Sequence, residues 1–273
     1  MRNEELKKKY ANLFKKLGAK FSDENLNELS NYDYHLNDPE LLAKFEPTMK
    51  IDERGRVHEI LDLKKTYKDE IIKSNNLVIM GSTSQYNSYS NITLKDFYTT
   101  TSDREVLLKN AKKLIENIKN NNAKQGLYIY GKNRVGKTFI ASAIANEVVC
   151  EKKVVFVFLP DFIRQTLDFA HNNIEANIKL LKEADLLILD DLGAGIKSPW
   201  FRDAVLLPVI SERLNLRKVM IVTSNFSYTN LISELANDKL DNATLADKDA
   251  ATRIISRLIE LCKPYKLEDN KGE

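Results

Sequence analysis

Apolar residues recur at helical spacing at Leu6, Tyr10, Leu13, Phe14 and Leu17 among lysines, which predicts one opening amphipathic helix of about three to four turns. Asp38 followed by Pro39 reads as an N-cap and first-turn pair leading into a second short helix, Glu40 to Phe45. Around Arg54-Gly55 the pattern loosens, with Met49 and Ile51 before it and Val57, His58 and Ile60 after it, the alternation of a hairpin. Residues 81–91 (GSTSQYNSYSN) carry no charge and no aliphatic side chain, so they are expected to form a linker. Ser102 to Glu105 fits a capping box, and Leu107, Leu108, Ala111, Leu114, Ile115 and Ile118 trace one helical face as far as Asn120-Asn121-Asn122. Strands and helices then alternate. The predicted strands are Leu127–Tyr130, Val154–Leu159, Leu186–Asp190, Val219–Thr223 and Tyr265–Leu267. The three middle ones are nearly continuous apolar runs, as strands covered by helices on both faces require. The expected architecture is α/β, a five-stranded, mostly parallel sheet flanked by helices over residues 92–273. A small, mainly helical domain over residues 1–80 precedes it, joined by the linker at 81–91.

Composition narrows the classes without choosing among them. A chain of 273 residues accommodates one sizeable α/β domain and a smaller module. A net charge of +3 neither demands nor excludes a nucleic-acid partner, because a local patch can hide in a near-neutral total. Cys150 and Cys262 are too few for a disulfide framework or a cysteine zinc cluster, and His35, His58 and His171 assemble no zinc-ligand spacing. No apolar run approaches a membrane helix, and the opening MRNEELKKKY lacks the apolar core of a signal peptide, so no membrane association and a cytoplasmic location are expected.

The chemistry concentrates after the first predicted strand of the sheet. Gly131-Lys132-Asn133-Arg134-Val135-Gly136-Lys137-Thr138 reads GxxxxGKT between that strand and a helix, the context a Walker A loop requires. The two glycines let successive backbone N–H groups turn inward around phosphate oxygens, and the helix that follows points the positive end of its dipole at the same anion. These eight residues and the adjoining Phe139 are the candidate nucleotide contacts, with Lys137 at the β/γ-phosphates and Thr138 on Mg²⁺. Leu186 to Asp191 (LLILDD) ends an apolar strand in two carboxylates, a Walker B pattern. Ligands sit beyond the carboxyl ends of such strands, which places Asp190 with Thr138 at the metal and Asp191 at the attacking water. Asn225 follows the Val219–Thr223 strand, where an amide is either a turn residue or a contact to the γ-phosphate. Arg253 and Arg257 stand one turn apart on the predicted helix from Asp249 to Cys262, fitting either a solvated face or a subunit boundary that reaches a neighbour's nucleotide.

GLYIYGKNRVGKT, LLILDDLGA, SPWFRDAV, VTSNFS and ATRIISRL, in that order, resemble the bacterial helicase loaders of the DnaI/DnaC type, more closely the DnaI branch. The resemblance is strongest over residues 90 to 267, with a weaker echo in FEPTMKID. It implies an AAA+ ATPase that binds ATP or ADP with Mg²⁺, grips the hexameric replicative helicase through its N-terminal domain, and helps place it on single-stranded DNA. It makes Asn225 sensor 1 and Arg257, or failing that Arg253, an arginine finger that works in a homo-oligomer. Arg164 on a helix from Phe162 to Phe169, with Lys179 and Lys182, are candidates to hold the DNA. The chain departs from the family in two ways: no cysteine precedes residue 150, so the zinc site of many such N-terminal domains is missing, and Gly195 replaces an acidic residue after DDLGA; the expected lack of a C-terminal helical lid agrees with the loaders. Competing readings are a transposition-helper ATPase of the IstB type, a non-catalytic ATP-binding adaptor and a small-molecule kinase.

Overall fold

The computed structural model describes residues 2–167, 174–194, 198–236 and 243–268. The chain divides into two compact units, residues 1–72 and 73–273.

In the first unit the predicted opening helix is two, α1 (Arg2–Lys9) and α2 (Ala11–Leu17), separated at Tyr10. The apolar stripe survives the break: Leu6, Tyr10 and Phe14 are all buried, and the Tyr10 hydroxyl and the Lys9 ammonium both donate to Asp33. Asp33 lies on α3 (Asp23–His35), a helix the apolar pattern did not reveal, because only Leu26 and Leu29 among its apolar positions are buried. α4 (Pro39–Lys44) begins as expected, with the Asp38 carboxylate accepting from the N–H groups of Glu40 and Leu41. The hairpin is also present, β1 (Phe45–Ile51) pairing antiparallel with β2 (Val57–Leu63). Asn25, buried on α3, donates to Gly55 O and accepts from Val57 N, fastening that helix to the hairpin turn. α5 (Lys65–Asn76) runs across the boundary between the units.

The second unit is built on a sheet of six strands, not five. Its members are β3 (Leu77–Met80), β4 (Gly126–Tyr130), β5 (Val154–Phe158), β6 (Leu186–Leu192), β7 (Val219–Ser224) and β8 (Cys262–Lys266). They lie in the order β3-β5-β6-β7-β4-β8, and every described pairing is parallel. The extra strand is Leu77-Val78-Ile79-Met80, four apolar residues whose partner, β5, stands 77 positions later, so nothing local announces the pairing. Residues 81–91 are likewise no free linker. They form α6 (Thr83–Asn87) and a turn, with the Tyr86 ring buried at 5.3 Å from Phe156 and its hydroxyl donating to Asn146. A stretch without aliphatic side chains is held by one aromatic anchor and its amide partner.

Helices cover both faces. α7 (Ser102–Lys119) and α8 (Lys137–Val148) pack on the side that shows Leu127, Ile129, Phe156 and Ile188. α9 (Leu159–Leu167), α10 (Ile174–Glu183), α11 (Leu207–Asn215), α12 (Tyr228–Leu235) and α13 (Leu245–Leu261) pack on the side that shows Tyr128, Val157, Leu189 and Val222. The alternation of faces along each strand is what makes the strands apolar throughout. α7 begins one residue earlier than its capping box implied, with Thr101 as N-cap and no side-chain cap bond. A π-helical turn, Phe201–Leu206, carries the buried Arg202, which pairs with Asp203 and with Asp247 at the start of α13. Asp247 also closes a capping box with Thr244, so the helix of Arg253 and Arg257 is fixed at its first turn.

Candidate functional site

Three strand ends and one helix start meet at a cleft of about 190 Å³. β4 delivers the chain into residues 131–136, where Gly131 (φ 151°) and Gly136 (φ 97°) take positive backbone angles that side chains resist. Arg134 also sits at φ 66°, so the loop alternates handedness as an anion-cradling turn does. Gly136 is the N-cap of α8 with no side-chain cap bond, so the N–H groups of that first turn are left to bind an anion. The loop is braced from outside by Arg104 of α7. Its buried guanidinium donates to Val135 O at 2.8 Å and Tyr98 O at 2.7 Å, and lies 4.4 Å from the Phe97 ring.

The side chains form one connected network. Lys137 Nζ donates to Gly131 O, Lys132 O and Asn225 Oδ1 at 2.7–2.9 Å, using all three protons. Asn225 Nδ2 donates in turn to Asp191 Oδ1 at 3.2 Å, so this amide bridges the lysine of one loop and the carboxylate of the other. Thr138 Oγ1 donates to Asp190 Oδ1 at 2.9 Å, and Thr223 Oγ1 donates to the same oxygen at 2.7 Å. Thr223 Oγ1 also accepts from Asp191 N, which holds Asp191 at φ 63° where β6 slips register against β7. The slip turns two consecutive carboxylates toward the cleft, where a regular strand would point them to opposite faces.

Burial dominates the electrostatics. Loss of water pushes the Asp190 carboxyl up to about 6, against the hydroxyls of Thr223 and Thr138, which favour its ionised form. Burial also raises Asp191 and lowers Lys137, the latter opposed by both aspartates. One ammonium against two carboxylates leaves a deficit of positive charge in a dry place. A small hard cation held by the Thr138 hydroxyl and the Asp190 carboxylate fits that deficit, with oxygens of water and phosphate completing its shell.

Of the sequence candidates, Gly131 to Thr138, Asp190, Asp191 and Asn225 are brought together. Phe139 is not: its ring packs near Tyr89 and Phe97 and does not line the cleft. Arg253 and Arg257 lie on α13 away from the lining, Arg257 Nη1 donating to Arg253 O one turn back. Gly195 and His171 lie outside the described residues. Sequence reasoning missed Thr223, Arg104, Pro160 and Asp161, the last two lining the cleft from the start of α9. Only Thr223 carried a signal, a hydroxyl at the end of an apolar strand.

A parallel sheet with a glycine turn at one strand end and an acidic pair two strands away defines a P-loop nucleotide-binding protein of the AAA+ fold. The chain belongs to the family of IstB-like ATP-binding proteins, whose model matches residues 58–267. It is similar to the replicative helicase loader DnaI of Bacillus subtilis (strain 168), 32% identical over 146 residues that cover 53% of this chain and 46% of that protein. It is also similar to the chromosomal replication initiator protein DnaA of Ureaplasma parvum serovar 3, 27% identical over 179 residues covering 59% of this chain and 39% of that one. The chain thus spans less than half the length of either relative. A crystal structure of DnaI superposes with a TM-score of 0.60 at 26% identity, covering 71% of this chain and 98% of that one. The resemblance to a DnaI-type loader, read from motif order, therefore extends to sequence and fold.

Proposed function

We propose that this chain is an ATP-hydrolysing loader that binds the replicative DNA helicase and helps place it on single-stranded DNA. The observation that carries the reading is the Lys137–Asn225–Asp191 bridge, which joins the phosphate loop to the acidic strand end in a chain similar to DnaI. The helix start and Lys137 bind and orient the triphosphate of ATP. Thr138 and Asp190 would hold a magnesium ion, which when bound offsets phosphate charge. Asp191, half-buried and raised in affinity for a proton, orients the attacking water and takes up its proton, while Asn225 keeps that carboxylate in place. The arginine finger is Arg257, with Arg253 the second choice, offered by a neighbouring copy of the chain, so that nucleotide state becomes assembly state. Residues 1–72 are the unit assigned to the helicase.

Phosphate release and helicase capture test the two halves of this reading. Co-purification with the host's replicative helicase should succeed for the full chain and fail for a version lacking residues 1–72 that still binds nucleotide. The IstB-like family match favours a second reading, a transposition helper, in which a transposase and not the helicase is captured.

A further inference from the structure

Both ends of α13 are fastened to segments that leave the cleft. Its first turn is tied to the segment after β6, where the buried Arg202 lies 2.9 Å from Asp247 and also donates to Leu235 O at the end of α12. Its last turn is tied to the segment after β7. Tyr228 opens α12 just beyond Asn225, and its hydroxyl stands 2.9 Å from Cys262 O and 3.2 Å from Leu258 O, sharing one proton between the two. Between these ties α13 buries Ala251, Ile254, Ile255, Leu258 and Leu261, and Arg253 and Arg257 lie off that face.

The loop of Asn225 has little freedom of its own. Ser224 Oγ donates to Leu192 O of β6 at 2.6 Å and accepts from Phe226 N at 3.1 Å. Tyr128 Oη, on β4, donates to Phe226 O at 2.6 Å. The Tyr128 and Tyr228 rings stack at 4.0 Å with 25° between their planes, which fixes the ring from which the Tyr228 hydroxyl reaches α13. Burial raises both phenols above their ordinary range, so each keeps a proton to donate. Packing requires only the rings. A phenylalanine at 228 would keep the stack, whereas the hydroxyl joins the amide loop to a helix none of whose described residues lines the cleft.

We propose that Tyr228 is a positioning residue that couples Asn225 to the last turns of α13, and through them to the arginines of that helix. A triphosphate seated between Lys137 and Asp191 changes the bonds that Asn225 makes to both, and the loop carries that change through the Tyr228 hydroxyl to the helix end. The coupling rests on the arginine of the loader reading and deepens it, since it names how the nucleotide in one cleft sets what that chain offers to its neighbour.

Amide hydrogen exchange on the full chain, with and without magnesium and the ATP analogue AMPPCP, reads the coupling directly. Nucleotide should alter exchange over residues 253–262 by at least about twofold in the parent. Tyr228→Phe should lose that response while binding the analogue within about twofold of the parent. A tyrosine that only held the fold would shift both states alike. Phosphate release from mixed chains supplies a second readout. Asp191→Asn keeps its arginines and Arg257→Ala keeps its cleft, so their mixture should recover activity. Tyr228→Phe placed in the Asp191→Asn chain should cut the recovered rate by about fivefold or more, and placed in the Arg257→Ala chain should leave it within about twofold. Equal loss from either placement overturns the proposal. So does a parent segment that ignores nucleotide, an observation that needs no variant to fold. No recovery from the mixture, with the exchange response still abolished by Tyr228→Phe, would remove the arginine reading and leave this coupling standing.

Discussion

Asp190 sits in an environment that costs the fold and serves the site. Its carboxyl is raised from 3.8 to about 6 by burial, so the folded chain holds a proton there that the unfolded chain has released. The stability this contributes is complete below pH 3.8 and is lost as the pH rises through about 6. At pH 7 the buried charge costs roughly 3 kcal/mol, because each tenfold gain in proton affinity is worth about 1.4 kcal/mol. Asp190→Asn should therefore melt higher than the parent at pH 7 without metal, the gap narrowing toward pH 5; a gap independent of pH would refute the assignment. Added magnesium should raise the parent's melting temperature and not the variant's. Asp191→Asn keeps the shape of the bridge to Asn225 and removes the proton acceptor. Phosphate release should fall by about 10²–10⁴-fold, with nucleotide affinity within a few-fold of the parent in a direct binding titration. Both aspartates and Lys137 were legible as residues, because their spacing from strand ends is a matter of sequence alone. Thr223 and Arg104 were not, because what matters about them is the partner: a carboxylate thirty-three positions away for one, a loop carbonyl thirty-one positions away for the other.

At the scale of elements, β4 meets β7 at close range at its first residue. A Cβ at Gly126 would stand 1.6 Å from Met220 O on the neighbouring β7, a backbone atom that has nowhere to go. Gly126→Ala should lower the unfolding free energy by about 3 kcal/mol or more, read as a shift in urea midpoint. α13 offers the opposite case, a helix fixed at its first turn by Arg202, Asp247 and Thr244 and carrying two arginines toward solvent. Arg257→Ala should leave nucleotide binding intact and lower phosphate release by at least about tenfold. Mixing it with the Asp191→Asn chain should restore part of the activity, because the second chain supplies the arginine and the first an intact cleft. No recovery on mixing would remove the finger from Arg257. Long periodic elements such as α7 and α13 were readable from their apolar positions, and α8 from the glycine turn that precedes it. β3 and α6 were not: one is four residues long with a partner far along the chain, and the other is held by a single buried tyrosine.

For the whole molecule, the division at residue 72 separates two compact units, and the proposed function gives each its own job. The chain lacking residues 1–72 should keep the parent's nucleotide affinity and intrinsic phosphate release while losing partner capture. Loss of nucleotide binding in a truncated chain that still folds would show that the first unit belongs to the ATP site. The sequence by itself determined the chemistry: the phosphate loop, the acidic pair and the strands that carry them are local patterns, dictated by backbone geometry and by burial on both faces. The tertiary structure alone decided the strand order, the place of Leu77–Met80 in the sheet and the packing of residues 81–91. Those depend on which distant segments share a surface, and side-chain periodicity carries no information about that.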